Sequence, residues 1–136
     1  MRNKYKLENY KKNYIMQELY NYQGNKKLLK ELEEDILHST STNDGQPRGN
    51  TTSDTTAQKA TKLITSKAIL TVTKKINNIE NALNKLTEEE KEIFDIIFNK
   101  RCSQAKAEIK YNISPDTYYN TRRKIVYLTA MEYGEI

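Results

Sequence analysis

Apolar residues recur at helical spacing in three parts of the chain, and a polar segment separates the first part from the second. In residues 5–38 the repeated apolar positions are Leu7, Tyr10, Tyr14 and Ile15, followed by Leu29, Leu32 and Ile36. This pattern predicts two helices divided at Gly24-Asn25. Residues 39–52 read STSTNDGQPRGNTT and have no apolar periodicity. That composition predicts a flexible loop or a disordered linker.

The second apolar part predicts one long helix that begins at Ser53 or Asp54 and ends near Leu86. Its apolar residues alternate at spacings of three and four: Ile69, Val72, Ile76, Ile79, Leu83 and Leu86. These are heptad a and d positions, although they cover fewer than three heptads. Two interpretations account for them equally well. The helix packs within the chain against the N-terminal helices as a hairpin, or it joins two protomers in a homodimer.

The third apolar part, from Thr87 to Met131, predicts three shorter helices. Thr87-Glu88-Glu89-Glu90 is a capping box that opens the first of them. After a break at 100–102, residues 103–110 predict a second helix and 111–113 a turn. Ser114 then caps a third helix, in which Pro115 takes the first helical position. A short helix, a tight turn and a longer helix are the layout of a helix-turn-helix, which fits the major groove of DNA.

The third helix of this unit is predicted to have one buried face and one polar face. Around Tyr118 at the centre of the buried face, helical periodicity places Ile125 and Thr129, with Thr121, Arg122 and Leu128 near the edges. The opposite face presents Asp116, Asn120 and Arg123, flanked by Thr117, Tyr119 and Lys124. This mixture of side chains can offer both base-edge hydrogen bonds and phosphate contacts. The plain alternative is a solvated helix of a small bundle that binds no DNA.

Charge is distributed unevenly in this region, although the net charge of the whole 136-residue chain is only +5. The stretch from Glu88 to Asp95 is acidic. Between positions 100 and 124 the basic residues are Lys100, Arg101, Lys106, Lys110, Arg122, Arg123 and Lys124, and the acidic ones are Glu108 and Asp116. A basic surface beside an acidic one produces a dipolar field that would orient the domain on a polyanion.

The composition argues against an enzyme and for an α-helical protein. Four glycines, two prolines and no tryptophan accompany abundant Lys, Glu, Leu, Ile and Asn. His38 is the only histidine, so neither a catalytic triad nor a multi-histidine metal site can be assembled, and no cofactor or metal is expected. Cys102 is interpreted as a small filler residue at a turn. The polar beginning of the chain and the lack of a long apolar run predict a cytoplasmic protein that does not enter the membrane.

The chain resembles the RinA-like family of phage transcriptional activators, whose C-terminal part is similar to the promoter-binding region 4 of sigma factors. Four segments carry the resemblance: LLKELEEDIL (28–37), NDGQPRGN (43–50), SDTTAQKATKL (53–63) and ISPDTYYNTRRKIVYLTAMEYG (113–134). The loop motif DG-x-PRG followed by SD-x-T is the most discriminating of these. The chain departs from the family pattern at Asn112, where a turn glycine is common, and at Glu108, where a small residue is expected.

Pattern and resemblance together predict an all-α protein with two parts. Residues 1–86 would form a helical hairpin or interaction region that includes the flexible loop 39–52, and residues 87–136 a sigma region 4-like helix-turn-helix domain. The leading hypothesis is a phage or prophage activator of late packaging and morphogenesis genes that binds double-stranded promoter DNA in the host cytoplasm, at the nucleoid. Host RNA polymerase and a second protomer are further candidate partners. The predicted DNA-binding residues are Ser103, Gln104, Lys106, Thr117, Tyr119, Asn120, Arg122, Arg123 and Lys124.

The competing hypothesis is a non-enzymatic helical interaction protein. In that case the helices bind RNA polymerase or another phage regulator, and the helix-turn-helix packs without reading DNA sequence. Salt dependence separates the two hypotheses, because neutralisation of several phosphates makes DNA affinity fall steeply with salt.

Overall fold

The chain is all-α over the residues that the structure, a computed structural model, describes: 5–41 and 52–136 for the backbone, and 5–37 and 62–136 for the side chains. No strand occurs in these ranges, so the predicted fold class is confirmed. The helices are α1 (Asn9–Tyr20), α2 (Tyr22–Ser41), α3 (Thr52–Leu83), α4 (Glu88–Phe94), α5 (Gln104–Tyr111) and α6 (Pro115–Glu132), and a π-helical turn (Asp95–Asn99) continues α4. Most of the predicted loop, 42–51, lies outside the described residues, and its first residues belong to α2.

The helices group into two compact units. The first contains residues 1–23 and 75–136, and the second contains residues 24–74. The first unit therefore extends across the predicted domain boundary between Leu86 and Thr87. It does so because α1 packs along α6 and also contacts the π-helical turn.

The division between α1 and α2 lies at Asn21, and the prediction of a break at Gly24-Asn25 is wrong. Gly24 is exposed inside α2, where a glycine weakens a helix by about 1 kcal/mol without ending it. The first residue of α2 is instead fixed by tertiary contacts. The Tyr22 ring packs 6.0 Å from the ring of Phe94, and its hydroxyl donates a hydrogen bond of 2.9 Å to the Glu80 carboxylate. Burial and the neighbouring carboxylate raise the pKa of the Tyr22 phenol.

The heptad face of α3 is covered within a single chain over its central part. Ile76 and Ile79 are 7% and 0% exposed in the first unit, and Val72 is 8% exposed in the second. Leu86, just after the helix, is buried as well. The intramolecular interpretation of the heptads accounts for this burial, since Ile76 and Ile79 offer no exposed seam to a second protomer.

The core of the first unit lies between α1, the end of α4 and α6. Ile15, Leu19, Ile97 and Phe98 are almost completely buried, and the ring of Phe98 lies 5.0 Å from that of Tyr20. Burying aliphatic and aromatic side chains of this size contributes about 1.5–3 kcal/mol each. The π-helical turn places Ile96, Ile97 and Phe98 all in buried positions.

One carboxylate, Glu18 of α1, is buried beside this core at 6% exposure. Lys75 forms an ion pair with it at 3.2 Å, and the hydroxyl of Tyr133 donates a hydrogen bond of 3.3 Å. Burial and the charge of Glu18 raise the pKa of Tyr133. Because the loss of one partner would leave a buried charge unpaired, these groups fix α1 relative to Lys75 and the end of α6.

Candidate nucleic-acid interface

Side-chain caps fix the beginnings of α4, α5 and α6. The Thr87 capping box is present: its hydroxyl accepts from the Glu90 backbone N–H at 3.2 Å, and its own N–H donates to the Glu90 carboxylate at 2.9 Å. Ser103 caps α5 by accepting from the backbone N–H of Lys106. Ser114 caps α6, with Pro115 in the first turn as predicted. Each cap contributes about 1 kcal/mol.

The turn between α5 and α6 depends on Asn112. Its backbone is left-handed, with φ 57° and ψ 40°, and its N–H donates to the carbonyl of Glu108 at 3.1 Å. This bond closes the end of α5, and the N–H of Ile113 adds a longer one of 3.4 Å to the carbonyl of Ala107. Asparagine tolerates the left-handed position better than most residues do. An asparagine at position 112 is therefore compatible with the turn.

A glutamate at position 108 is also accommodated. Glu108 is exposed, so its carboxylate does not enter the packing. Ala107, the residue before it, is fully buried and is the small residue at this point of α5. Ile113 is buried immediately after the turn. The helices α5 and α6 can thus pack closely despite the glutamate.

A buried hydrogen bond ties α6 to the segment before α5. The hydroxyl of Tyr118 donates to the carbonyl of Cys102 at 2.7 Å. Cys102 is itself 6% exposed, as a packed filler residue would be. The adjacent Arg101 is left-handed, with φ 54°, and its guanidinium donates to the carbonyl of Tyr20 at 3.3 Å. The predicted buried face is present and is wider than expected, since Val126 and Ala130 are also buried.

The opposite face of α6 is exposed along its first half. Asp116, Thr117 and Asn120 are exposed, and the Tyr119 side chain is 37% exposed. The guanidinium of Arg122 stacks 4.9 Å from the centre of the Tyr119 ring. The guanidinium of Arg123 donates a hydrogen bond to the side-chain oxygen of Asn120. A planar cation and an amide are therefore held together on this face, which is an arrangement suited to base edges.

Other predicted site residues are engaged elsewhere. The ammonium of Lys124 is held by both carboxylate oxygens of Glu90, at 3.0 and 2.9 Å, so its charge is neutralised within the chain. The hydroxyl of Ser103 accepts the capping hydrogen bond at the start of α5, and Gln104 next to it is half-buried. Lys106 is exposed. Lys100 donates to the Tyr111 hydroxyl at 3.4 Å and lies 3.8 Å from Asp95.

The segment before α1 also adjoins α6, which sequence reasoning missed. The rings of Tyr5 and Tyr127 lie 5.5 Å apart. Lys6, Asn9, Lys12 and Arg123 supply the polar lining of a small pocket that also includes Val126. The basic residues near the beginning of the chain were visible in the sequence. Their position beside α6 was not, because more than 100 residues separate the two segments.

Acidic side chains of α4 adjoin the start of α6. Glu88, Glu89 and Glu92 are exposed on α4, and Glu89 and Glu92 line a pocket that reaches Ser114 and Thr117 at the start of α6. In the described residues no three His, Cys, Asp or Glu side chains are grouped to hold a metal ion. Nor does any helix there combine the length and apolarity needed to cross a membrane.

Comparison of the chain with protein-family models, with curated proteins and with solved structures gave no match.

Proposed function

We propose that this chain is a sequence-specific DNA-binding transcriptional activator of phage or prophage origin. The observation that supports it most is the αL turn at Asn112 followed by the capped helix α6, whose exposed face joins Asn120 to Arg123 and stacks Arg122 on Tyr119. This helix has 18 residues, and the polar face of its first half is exposed. A helix of this kind can enter a major groove with its first turns.

In this proposal the residues of α6 have different roles. Asn120 reads a base edge, and an adenine is the natural partner because a side-chain amide can pair with it in a bidentate manner. Arg122 contacts a phosphate while its guanidinium rests on the Tyr119 ring. The buried Tyr118 hydroxyl bond holds α6 in place against the segment that precedes α5.

By its resemblance to RinA-like activators, the chain would bind promoter DNA upstream of late phage genes for packaging and morphogenesis. Host RNA polymerase is a candidate second partner, and the bacterial nucleoid is the expected location. Selection from a random duplex library would test the proposal, with a reporter operon carrying the selected site as the readout of activation. Enrichment of one motif, and activation that depends on it, is the expected result. A library that stays random after several rounds would overturn the proposal.

A second function, protein interaction without DNA reading, is favoured by a different observation. In the second unit Leu63, Ile64 and Leu70 of α3 are 58%, 68% and 70% exposed. Apolar side chains grouped on a surface mark interaction sites in many proteins. Under this function the chain would show no salt-dependent binding to any duplex.

A further inference from the structure

The pocket beside α6 has a basic polar lining that the proposed role of α6 leaves unexplained. Lys6 precedes α1, Lys12 lies in its first half, and Arg123 lies in the middle of α6. No carboxylate lines the pocket, and among the described residues none of the three cations has an acidic partner. Three like charges converge here, and each repels the others. An anion between them would relieve that repulsion.

Two further observations indicate that an anion would be bound there and not merely attracted. Glu8 stands at the N-cap of α1 but makes no capping hydrogen bond, so the first N–H groups of the helix have no side-chain acceptor. The Nε atom of Arg123 is buried and has no hydrogen-bond partner. Guanidinium, ammonium and helix N–H groups together are the donors that proteins use for phosphate.

The position of the pocket indicates where the phosphate comes from. Arg123 reaches the exposed face of α6 through its hydrogen bond to Asn120, and the pocket lies on the α1 side of that same residue. We infer that Lys6 and Lys12, with Arg123, bind a backbone phosphate of the duplex whose groove receives α6. This inference rests on the proposed function and adds a second contact region, supplied by the beginning of the chain.

The test uses the full chain and a fluorescein-labelled 30-base-pair duplex of random sequence, with binding followed by anisotropy over a series of KCl concentrations. The logarithm of affinity should fall linearly with the logarithm of salt, with a slope set by the number of phosphates neutralised. A Lys6→Gln, Lys12→Gln double variant is expected to lower that slope by about one unit, because one phosphate loses both of its lysine contacts. Circular dichroism verifies its helicity. If the double variant is less helical, Lys6→Gln alone, outside any helix, should lower the slope by a measurable part of that unit.

Lys11 provides the matched control. It neighbours Lys12 in the same helix, but its ammonium donates to the carbonyl of Glu135 at 2.9 Å and does not line the pocket. Lys11→Gln removes one lysine charge, as Lys6→Gln alone does, and should leave the salt slope unchanged. An equal fall in the control would mean that only total charge matters, which overturns the inference.

Other outcomes separate the inference from the proposed function. If the wild-type chain binds the duplex with a steep slope and the double variant keeps that slope, the inference is wrong and the proposed function stands. A parallel NMR titration uses inorganic phosphate alone. Chemical-shift changes at Lys12 and Arg123 there, with an unchanged DNA slope, would show a site for free anion and overturn the duplex assignment. If the wild-type chain binds no duplex, the proposed function fails and this inference fails with it.

Discussion

The polar residues of α6 differ in how far the rest of the chain already engages them. Asn120 is exposed, and its oxygen accepts a hydrogen bond from Arg123. Its NH2 group and the second lone pair of that oxygen remain for a bidentate contact with a base. Arg122 lies against an aromatic ring, whereas Lys124 is held by a carboxylate. Side chains on one helix that look equivalent in sequence are therefore expected to differ in DNA binding.

Replacement of Asn120 by Ala should weaken binding to the selected site by about 1–3 kcal/mol, because it removes a bidentate contact to one base pair. Binding to random duplex should change much less. Anisotropy with both duplexes measures the difference. Equal losses on the two would show that Asn120 does not read sequence.

Arg122→Ala should lower the salt slope of DNA binding by about one unit, since one phosphate contact is lost. Lys124→Ala should leave the slope unchanged, because Glu90 already neutralises that ammonium at 2.9 Å. The lysine variant should instead lose about 0.2–1 kcal/mol of folding stability. A fall in slope for Lys124→Ala as large as that for Arg122→Ala would contradict this distinction.

Glu90 should make stability depend on pH. Burial alone would raise the pKa of its carboxyl group, but the Thr87 N–H and the Lys124 ammonium outweigh burial and hold the pKa below the ordinary 4.5. A depressed pKa in the folded state stabilises the protein above the unfolded value and loses that effect as pH falls through the folded value. Glu90→Gln should thus be less stable than wild type at pH 7, with a gap that closes below pH 4.5. Urea unfolding at several pH values measures this gap, and a constant gap would exclude the assignment.

At the scale of single elements, caps and turns determine where α4, α5 and α6 begin and end. Thr87, Ser103 and Ser114 each bond to a backbone N–H three residues later. Asn112 ends α5 with a left-handed backbone. Caps and the left-handed turn involve only residues close in sequence. We therefore expect each of them to stabilise the helix that it begins or ends.

Asn112→Gly should preserve or slightly raise stability, because glycine adopts φ 57° without a Cβ penalty. Asn112→Val should lower the free energy of unfolding by about 1–2 kcal/mol, since a β-branched side chain is strained in the left-handed region. Urea titrations followed by circular dichroism compare the two. A valine variant as stable as the glycine variant would mean that this turn changes conformation easily.

At the scale of the whole molecule, helices distant in sequence share a core. Lys11 donates to the carbonyl of Glu135, across 124 residues. Buried Ile15 and Leu19 of α1 belong to the same compact unit as Ile125 of α6. The sequence predicted residues 87–136 as a separate domain, which stays a prediction. In the structure α1 covers part of α6.

Ile79→Ala should destabilise the protein by about 2–5 kcal/mol, because the side chain is 0% exposed and its loss leaves a cavity. Leu70→Ala is the control on the same helix; at 70% exposure its removal should change stability by less than about 0.5 kcal/mol. Sedimentation should give the same mass for wild type and Ile79→Ala. A change of mass would indicate that the heptad face joins two protomers after all.

The sequence by itself determined the helical class, the caps at Thr87 and Ser114, and the exposed face of α6, whereas the cap at Ser103 was seen only in the structure. It could do so because these features depend on residues three or four positions apart, and helical periodicity relates such positions directly. The polar face of α6 was recognisable for the same reason: the alternation of apolar and polar residues along one helix records which side faces water.

Only the tertiary structure decided which residues on those faces remain available. Glu90 and Lys124 form their ion pair across 34 residues, the break before α2 depends on the contacts of Tyr22, and Lys6 and Lys12 lie beside Arg123 because α1 packs along α6. Local spacing contains no information on such contacts. They follow from how apolar faces of separate helices are buried together, and the sequence shows that each face exists without showing which faces meet.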